Sequence, residues 1–112
     1  LLMLSPAFVE ARPDMIERLT ESALESPTPS HSAVHQALAI QWFDTCGRLS
    51  QIGAPTLVVT GGAVVVIPPA NSYLLADHIP DSVLEVVPDA GHGFFWERPE
   101  LLADLLTEFC ND

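Results

Sequence analysis

The sequence predicts an α/β fold in which a parallel strand-helix-strand-helix unit follows a helical region. Three observations carry this. Thr56-Leu57-Val58-Val59-Thr60 is a continuous β-branched and apolar run closed by Gly61-Gly62, the texture of a strand buried on both faces of a parallel sheet. Val83 to Val87 is a second short run of the same kind, and a helical pattern bounded by prolines lies between the two. Before Gln51 the pattern is helical throughout, so the chain divides into a helical part, 1–50, and an α/β part, 51–112.

In chain order, Pro13 suits a first helical position and Asp14 supports the helix N-terminus. Met15, Ile16, Leu19 and Ala23 then recur at helical spacing. Ser26-Pro27-Thr28-Pro29-Ser30 ends that helix, because proline removes donors and restricts the residue before it. A second helix follows with Val34, Leu38 and Trp42 on one stripe, and a short turn or helix through Cys46, Leu49 and Ile52 leads to Pro55. Pro68-Pro69 opens a helix to about Ile79, with Leu74, Leu75 and Ile79 inward and Pro80 as its stop. Pro99 starts a last helix in which Leu101, Leu102, Leu105, Leu106 and Phe109 form one apolar face. Residues 56–60 and 83–87 are therefore expected as adjacent parallel strands joined through a helix at about 69–79, with a right-handed crossover as the default. Two such strands are normally inner parts of a larger sheet covered on both faces. The chain alone would expose strand edges and apolar faces, and is a poor candidate for an independent enzyme.

A length of 112 residues allows one domain at most, and 48% hydrophobic residues argue against disorder of the whole chain. Four arginines or lysines against 15 acidic residues give a net charge of -11, which disfavours nucleic acid and anionic membrane surfaces as partners. Leu1-Leu2-Met3-Leu4 is too short to span a bilayer and lacks the flanks of a signal peptide. Opening on Leu suits a fragment. Cys46 and Cys110 are too sparse for a disulfide framework and read as two reduced, partly buried thiols of a cytoplasmic protein.

The segment richest in chemistry is Pro88-Asp89-Ala90-Gly91-His92-Gly93-Phe94-Phe95-Trp96-Glu97-Arg98-Pro99-Glu100. It places a histidine between two glycines, after a strand and before an amphipathic helix. Read alone, a G-H-G triplet is more often a loop histidine without a role. With Asp44-Thr45, Arg48-Leu49, Ala54 to Gly61, Ile67 to Ser72 and Ile79-Pro80 at their spacings, the chain resembles the C-terminal portion of the α/β-hydrolase superfamily. The similarity is to the branch of esterases and lactonases with a helical cap. It is clear over the last two thirds and loose over the first 40 residues, which would be the end of a cap or lid.

The resemblance implies that His92 is the catalytic base, taking the proton of a serine and returning it to the leaving group. Gly91 and Gly93 would permit backbone conformations or close approaches that a Cβ would block. It also exposes two departures. No G-x-S-x-G nucleophile elbow occurs in the sequence, and the position of the family's acid, after Thr60-Gly61, holds Val64. The acid would come from another strand, from Asp89 in the same loop, or not at all.

Other residues have plainer readings. His31 and His35 are four apart but lack a third ligand, so they read as a solvated pair. His78 suits a helix C-terminus electrostatically. Phe94, Phe95 and Trp96 either line a pocket beside His92 or anchor the last helix to the sheet, with anchoring favoured. Glu97 and Arg98 read as a local polar pair at the helix start. Gly61-Gly62 is not a phosphate loop.

The leading expectation is a C-terminal hydrolase fragment acting on an ester, lactone or similar acyl bond of a small-molecule substrate. His92 would be general base, the nucleophile would lie in the missing N-terminal half of the core, and no cofactor or metal would be required. The alternative from another class is a degenerate, non-catalytic hydrolase-like binding module, which Val64 favours. A helical interaction module built on residues 1–50 has only their acidic amphipathic pattern behind it.

Overall fold

Prolines and glycines set the boundaries of nearly every element in the computed structural model, which describes residues 3–111. Leu1 and Leu2 of the N-terminal apolar run, and Asp112, lie outside the described residues. Helix α1 (Pro6–Ala11) was not expected from periodicity, being under two turns long. Its start is nevertheless written in the sequence: the Ser5 hydroxyl accepts the Phe8 N–H at 3.2 Å, and Pro6 occupies the first turn, where no donor is needed. Helix α2 (Pro13–Glu25) and helix α3 (Ser30–Trp42) flank the Ser-Pro-Thr-Pro break, and a short 3-10 helix (Cys46–Gln51) leads to the sheet. At the start of α2, Asp14 is engaged by the Arg12 guanidinium at 3.0 Å, which holds its carboxyl below the usual range.

Strands β1 (Thr56–Gly61) and β2 (Ser82–Val87) pair in parallel, Thr56 opposite Ser82 and Gly61 opposite Val87. Helix α4 (Ala70–His78) connects them and packs on both strands and on the 3-10 helix. The expected strand-helix-strand unit is thus present. His78 ends α4 with its ring Nδ1 2.9 Å from the Leu74 carbonyl oxygen. A short helix α5 (Phe94–Glu97) and helix α6 (Pro99–Asn111) complete the described residues. Leu105 and Phe109 of α6 share a hollow with Leu57 of β1 and Val83 of β2, so α6 lies over that face. Leu101 and Leu106 stay 40% and 47% exposed, so the apolar face expected of this helix is only partly covered.

Leu49, Val58 and Ile79 are buried along the strand pair, and most of the other buried side chains lie at the C-terminal edge of the strands. Val64, Val87 and Ala90 are buried there together with Leu4, Ser5 and Thr60. Helix α3 contributes none: Val34, Leu38 and Trp42, expected on one stripe, are all exposed, Trp42 at 82%. Ala39 and Ile40 place apolar surface on the other sides of this helix, so no single face turns inward. The accessible surface of 8124 Å² exceeds the ~6000 Å² of a folded monomer of this mass. The radius of gyration, 16.2 Å, likewise exceeds the ~13 Å of a compact domain of this length. Both excesses match a two-stranded sheet with little to cover its faces among the described residues.

Both cysteines are free, but exposed rather than partly buried as expected. A helix of few buried positions presents Cys110 outward, and the 3-10 turn does the same for Cys46. Hydrogen bonding to the nearby Asp44 carboxylate, together with its charge, raises the Cys46 pKa above the ordinary thiol value. We therefore expect both thiols to react with a disulfide reagent without denaturant. The Cys46 rate should climb at higher pH than for an ordinary cysteine, because less thiolate is present at any given pH. Asp44→Asn should speed Cys46 at pH 8. A thiol that reacts only after unfolding would contradict the exposure seen here.

Candidate active site

His92 sits in the loop that leaves β2, and backbone hydrogen bonds fix that loop from two sides. On the sheet side, the Gly62 N–H donates to the Val87 carbonyl at 2.8 Å and the Ala63 N–H to the Ala90 carbonyl at 2.9 Å. The loop leaving β1 and the loop leaving β2 are therefore stitched together at the C-terminal edge of the parallel pair, where open α/β sheets build their sites. On the other side, the Gly91 N–H donates to Glu97 Oε1 at 3.0 Å and the Gly93 N–H donates to the Met3 carbonyl.

The glycines flanking His92 serve close approach, not unusual dihedral angles, since neither has a positive φ. A Cβ on Gly91 would lie 2.7 Å from the Met3 carbonyl oxygen, the Leu4 carbonyl carbon and the Ser5 nitrogen. A Cβ on Gly93 would lie 2.9 Å from Leu4 Cδ2. The residue that does take a left-handed conformation is Asp89, at φ 57, in the turn between β2 and His92.

The half-buried His92 ring opens on a hollow of about 90 Å³, shared with Ser72 from α4, Ile67, Phe94 and the end of β1. Ile67 and Ser72 bound a segment that carries the resemblance, but nothing in their local pattern connects them to a loop 20 or more positions away. Phe94 meets the pocket reading of the aromatic triplet. Trp96 instead borders an apolar hollow with Leu19, Ala23 and Leu24 of α2, so it faces the helical region.

Val64, at the position where the resemblance leads one to expect the acid, is buried, 9% exposed. Asp89 is exposed and borders a different hollow, with Phe8 and Arg98. Every carboxylate hydrogen bond among the described residues goes elsewhere than to the His92 ring. The expected Glu97-Arg98 pair is corrected as well. Glu97 turns away from its neighbour and accepts from the Ser5 N–H at 2.7 Å, the Ser5 hydroxyl at 2.7 Å and the Gly91 N–H. Three donors stabilise the carboxylate better than one exposed guanidinium would. His31 and His35 lie on the exposed surface of α3 with ring centroids 6.5 Å apart. Among the described residues no group of three or more His, Cys, Asp or Glu is placed to hold a metal ion, and no helix is long and apolar enough to cross a membrane.

No family model matches the chain. It is similar to 3-oxoadipate enol-lactonase 2 of Acinetobacter baylyi, with 30% identity over 86% of this chain and 35% of that protein. It is also similar to a 2-hydroxy-6-oxononadienedioate/2-hydroxy-6-oxononatrienedioate hydrolase of Pseudomonas putida, 32% identical over 91% of this chain and 38% of the relative. The chain thus spans little more than a third of the length of these curated relatives. Among solved structures, an α/β hydrolase from a deep-sea metagenome library superposes on 99% of this chain and 42% of its own, with a TM-score of 0.86 and 22% identity. An N-acyl homoserine lactone degrading enzyme superposes on 96% of this chain and 43% of its own, with a TM-score of 0.74 and 33% identity.

Proposed function

We propose that this chain, which belongs to the α/β-hydrolase superfamily and spans the C-terminal part of its fold, supplies the general base and one wall of the substrate pocket of an acyl hydrolase. The substrate would be an ester, a lactone or a similar acyl compound. The observation that carries this is the placement of His92: a half-buried imidazole at the C-terminal edge of a parallel strand pair, in a loop fixed on both sides, open to a small hollow. In this reading, residues 1–50 form the end of a cap and 51–112 the end of the core. A serine from a part of the fold outside this chain attacks the acyl carbon while His92 takes its proton. That proton then goes to the leaving oxygen, and a water activated by the same imidazole releases the acid. The excess surface, roughly 2000 Å², is the face that the rest of such a core would cover.

A test joins residues 1–112 to the part of the enol-lactonase relative that this chain does not match and assays lactone and ester hydrolysis. Turnover that disappears on His92→Ala supports the reading, and turnover indifferent to that change overturns it. The chain alone is expected to hydrolyse short p-nitrophenyl esters no faster than buffer. Activity above background that is lost on His92→Ala would contradict this and point to a nucleophile within the chain, Ser72 being the serine that shares the His92 hollow.

The buried Val64 favours a second reading, a hydrolase-like module that binds an acyl ligand without turning it over. A chimera that binds such a ligand saturably but shows no His92-dependent turnover would favour it.

A further inference from the structure

We infer that Glu97 is the positioning residue of the His92 loop, acting by tying that loop to the segment Met3–Ser5 that leads into α1. The inference rests on the reading of His92 as the base, and extends it to what holds the base in place. Glu97 is half-buried and, among the described residues, forms no ion pair. Its carboxylate is satisfied by neutral donors alone. Oε1 accepts the Gly91 N–H at 3.0 Å and the Ser5 N–H at 2.7 Å, and Oε2 accepts the Ser5 hydroxyl at 2.7 Å. One oxygen atom thus bridges the residue before His92 to a segment more than 80 positions upstream. On the other side of His92, the Gly93 N–H donates to the Met3 carbonyl, directly on the same segment. The peptide units on both sides of the histidine are therefore fixed to residues 3–5, one through Glu97 and one without it.

The geometry leaves little room for the loop to be held otherwise. Ser5 is 4% exposed and Leu4 is 8% exposed, so burial holds these two residues of the segment in place, while Met3 is exposed. Gly91 lies so close to it that any side chain there would overlap its backbone. Buried N–H groups need acceptors, and an ionised acceptor makes the stronger bond. Ser5 also caps α1, so the same carboxylate joins the start of the helical region to the base. Movement of α1 in response to a ligand would reach His92 through this bridge.

Solution NMR on the full chain tests the inference. In the unsubstituted protein, a scalar coupling across the hydrogen bond from the Gly91 amide nitrogen to the Glu97 carboxylate carbon is expected, and its absence overturns the proposal without any variant. In Glu97→Gln, exchange of the Gly91 and Ser5 amide protons should quicken by about tenfold or more. The His92 side-chain couplings should average over rotamers while the amides of Val58 and Val86 keep their exchange rates. Ser5→Ala removes the hydroxyl arm together with the α1 cap, but keeps the Ser5 N–H, and should leave the Gly91 amide protected and the His92 rotamer unchanged. Uniform acceleration at every amide in Glu97→Gln, with His92 couplings unaltered, would reduce Glu97 to a stabilising residue and overturn the proposal. Failure of the base reading looks different: these signals behave as expected while the chimera keeps turnover after His92→Ala.

Discussion

Val64→Asp is expected to raise turnover of the chimeric hydrolase by orders of magnitude, approaching the roughly 10⁴-fold that a triad acid contributes in serine hydrolases. The substitution puts a carboxylate at the start of the loop leaving β1, and Ala63 beside it is already hydrogen-bonded to Ala90, two residues from His92. An aspartate there has the imidazole N–H as its natural partner, which would fix the tautomer and leave the other nitrogen free for the serine proton. Val64 is buried, so the same carboxylate without a partner would be costly, by about 1–3 kcal/mol or more. The two outcomes separate cleanly. If the pair forms, Val64→Asp raises turnover and is no less stable than Val64→Asn. If it does not form, the buried carboxylate costs stability and brings no gain in turnover. That second outcome would place the acid on another strand.

How much of this was legible in the sequence depended on how local each signal is. The strands, α4 and the start of α6 follow from β-branched runs and prolines at their boundaries, and they occur where expected. His92 was legible for the same reason: a G-H-G between a strand and a helix is a local pattern. Glu97 was misread because its neighbour Arg98 offered the obvious partner, while Ser5 is 92 positions away. A three-donor carboxylate carries no mark in sequence. The glycines were half legible. Their need for a small residue was visible, but whether that need came from dihedral angle or contact required the approach of Met3–Ser5. Helix α3 occurs where its spacing placed it, but the sequence did not show that its apolar stripe would meet no described surface.

Gly61→Ala is expected to be the most damaging single methyl in the chain. Gly61 ends β1 in register with Val87, and a Cβ there would lie 2.2 Å from the Gly91 carbonyl oxygen, 2.3 Å from the Ala90 carbonyl oxygen and 2.8 Å from the Ala90 carbonyl carbon. All three are backbone atoms, so no side chain can rotate away to make room. The clash falls on the peptide units immediately before His92, and relief requires the loop to leave the edge of β1. That movement would strain the Ala63-to-Ala90 hydrogen bond and the Gly91-to-Glu97 bond together. Overpacking of a fixed core costs about 1–3 kcal/mol and occasionally more. With two contacts this short, a loss of at least about 3 kcal/mol is expected, a large share of the ~5–15 kcal/mol available to a folded domain. The neighbouring glycines provide the controls. A methyl on Gly62 would meet nothing closer than 3.4 Å, and one on Gly47 would meet nothing within 4 Å. Gly47→Ala should be neutral or stabilising by about 0.4–1 kcal/mol through the unfolded chain. Denaturant midpoints for the three variants should therefore rank Gly61→Ala far below Gly62→Ala, with Gly47→Ala at or above the parent. In chimeras that still fold, Gly61→Ala should lower turnover and Gly62→Ala should not. If Gly61→Ala matches Gly62→Ala in both measurements, the His92 loop does not rest on the end of β1 as described, and the placement of the base falls with it.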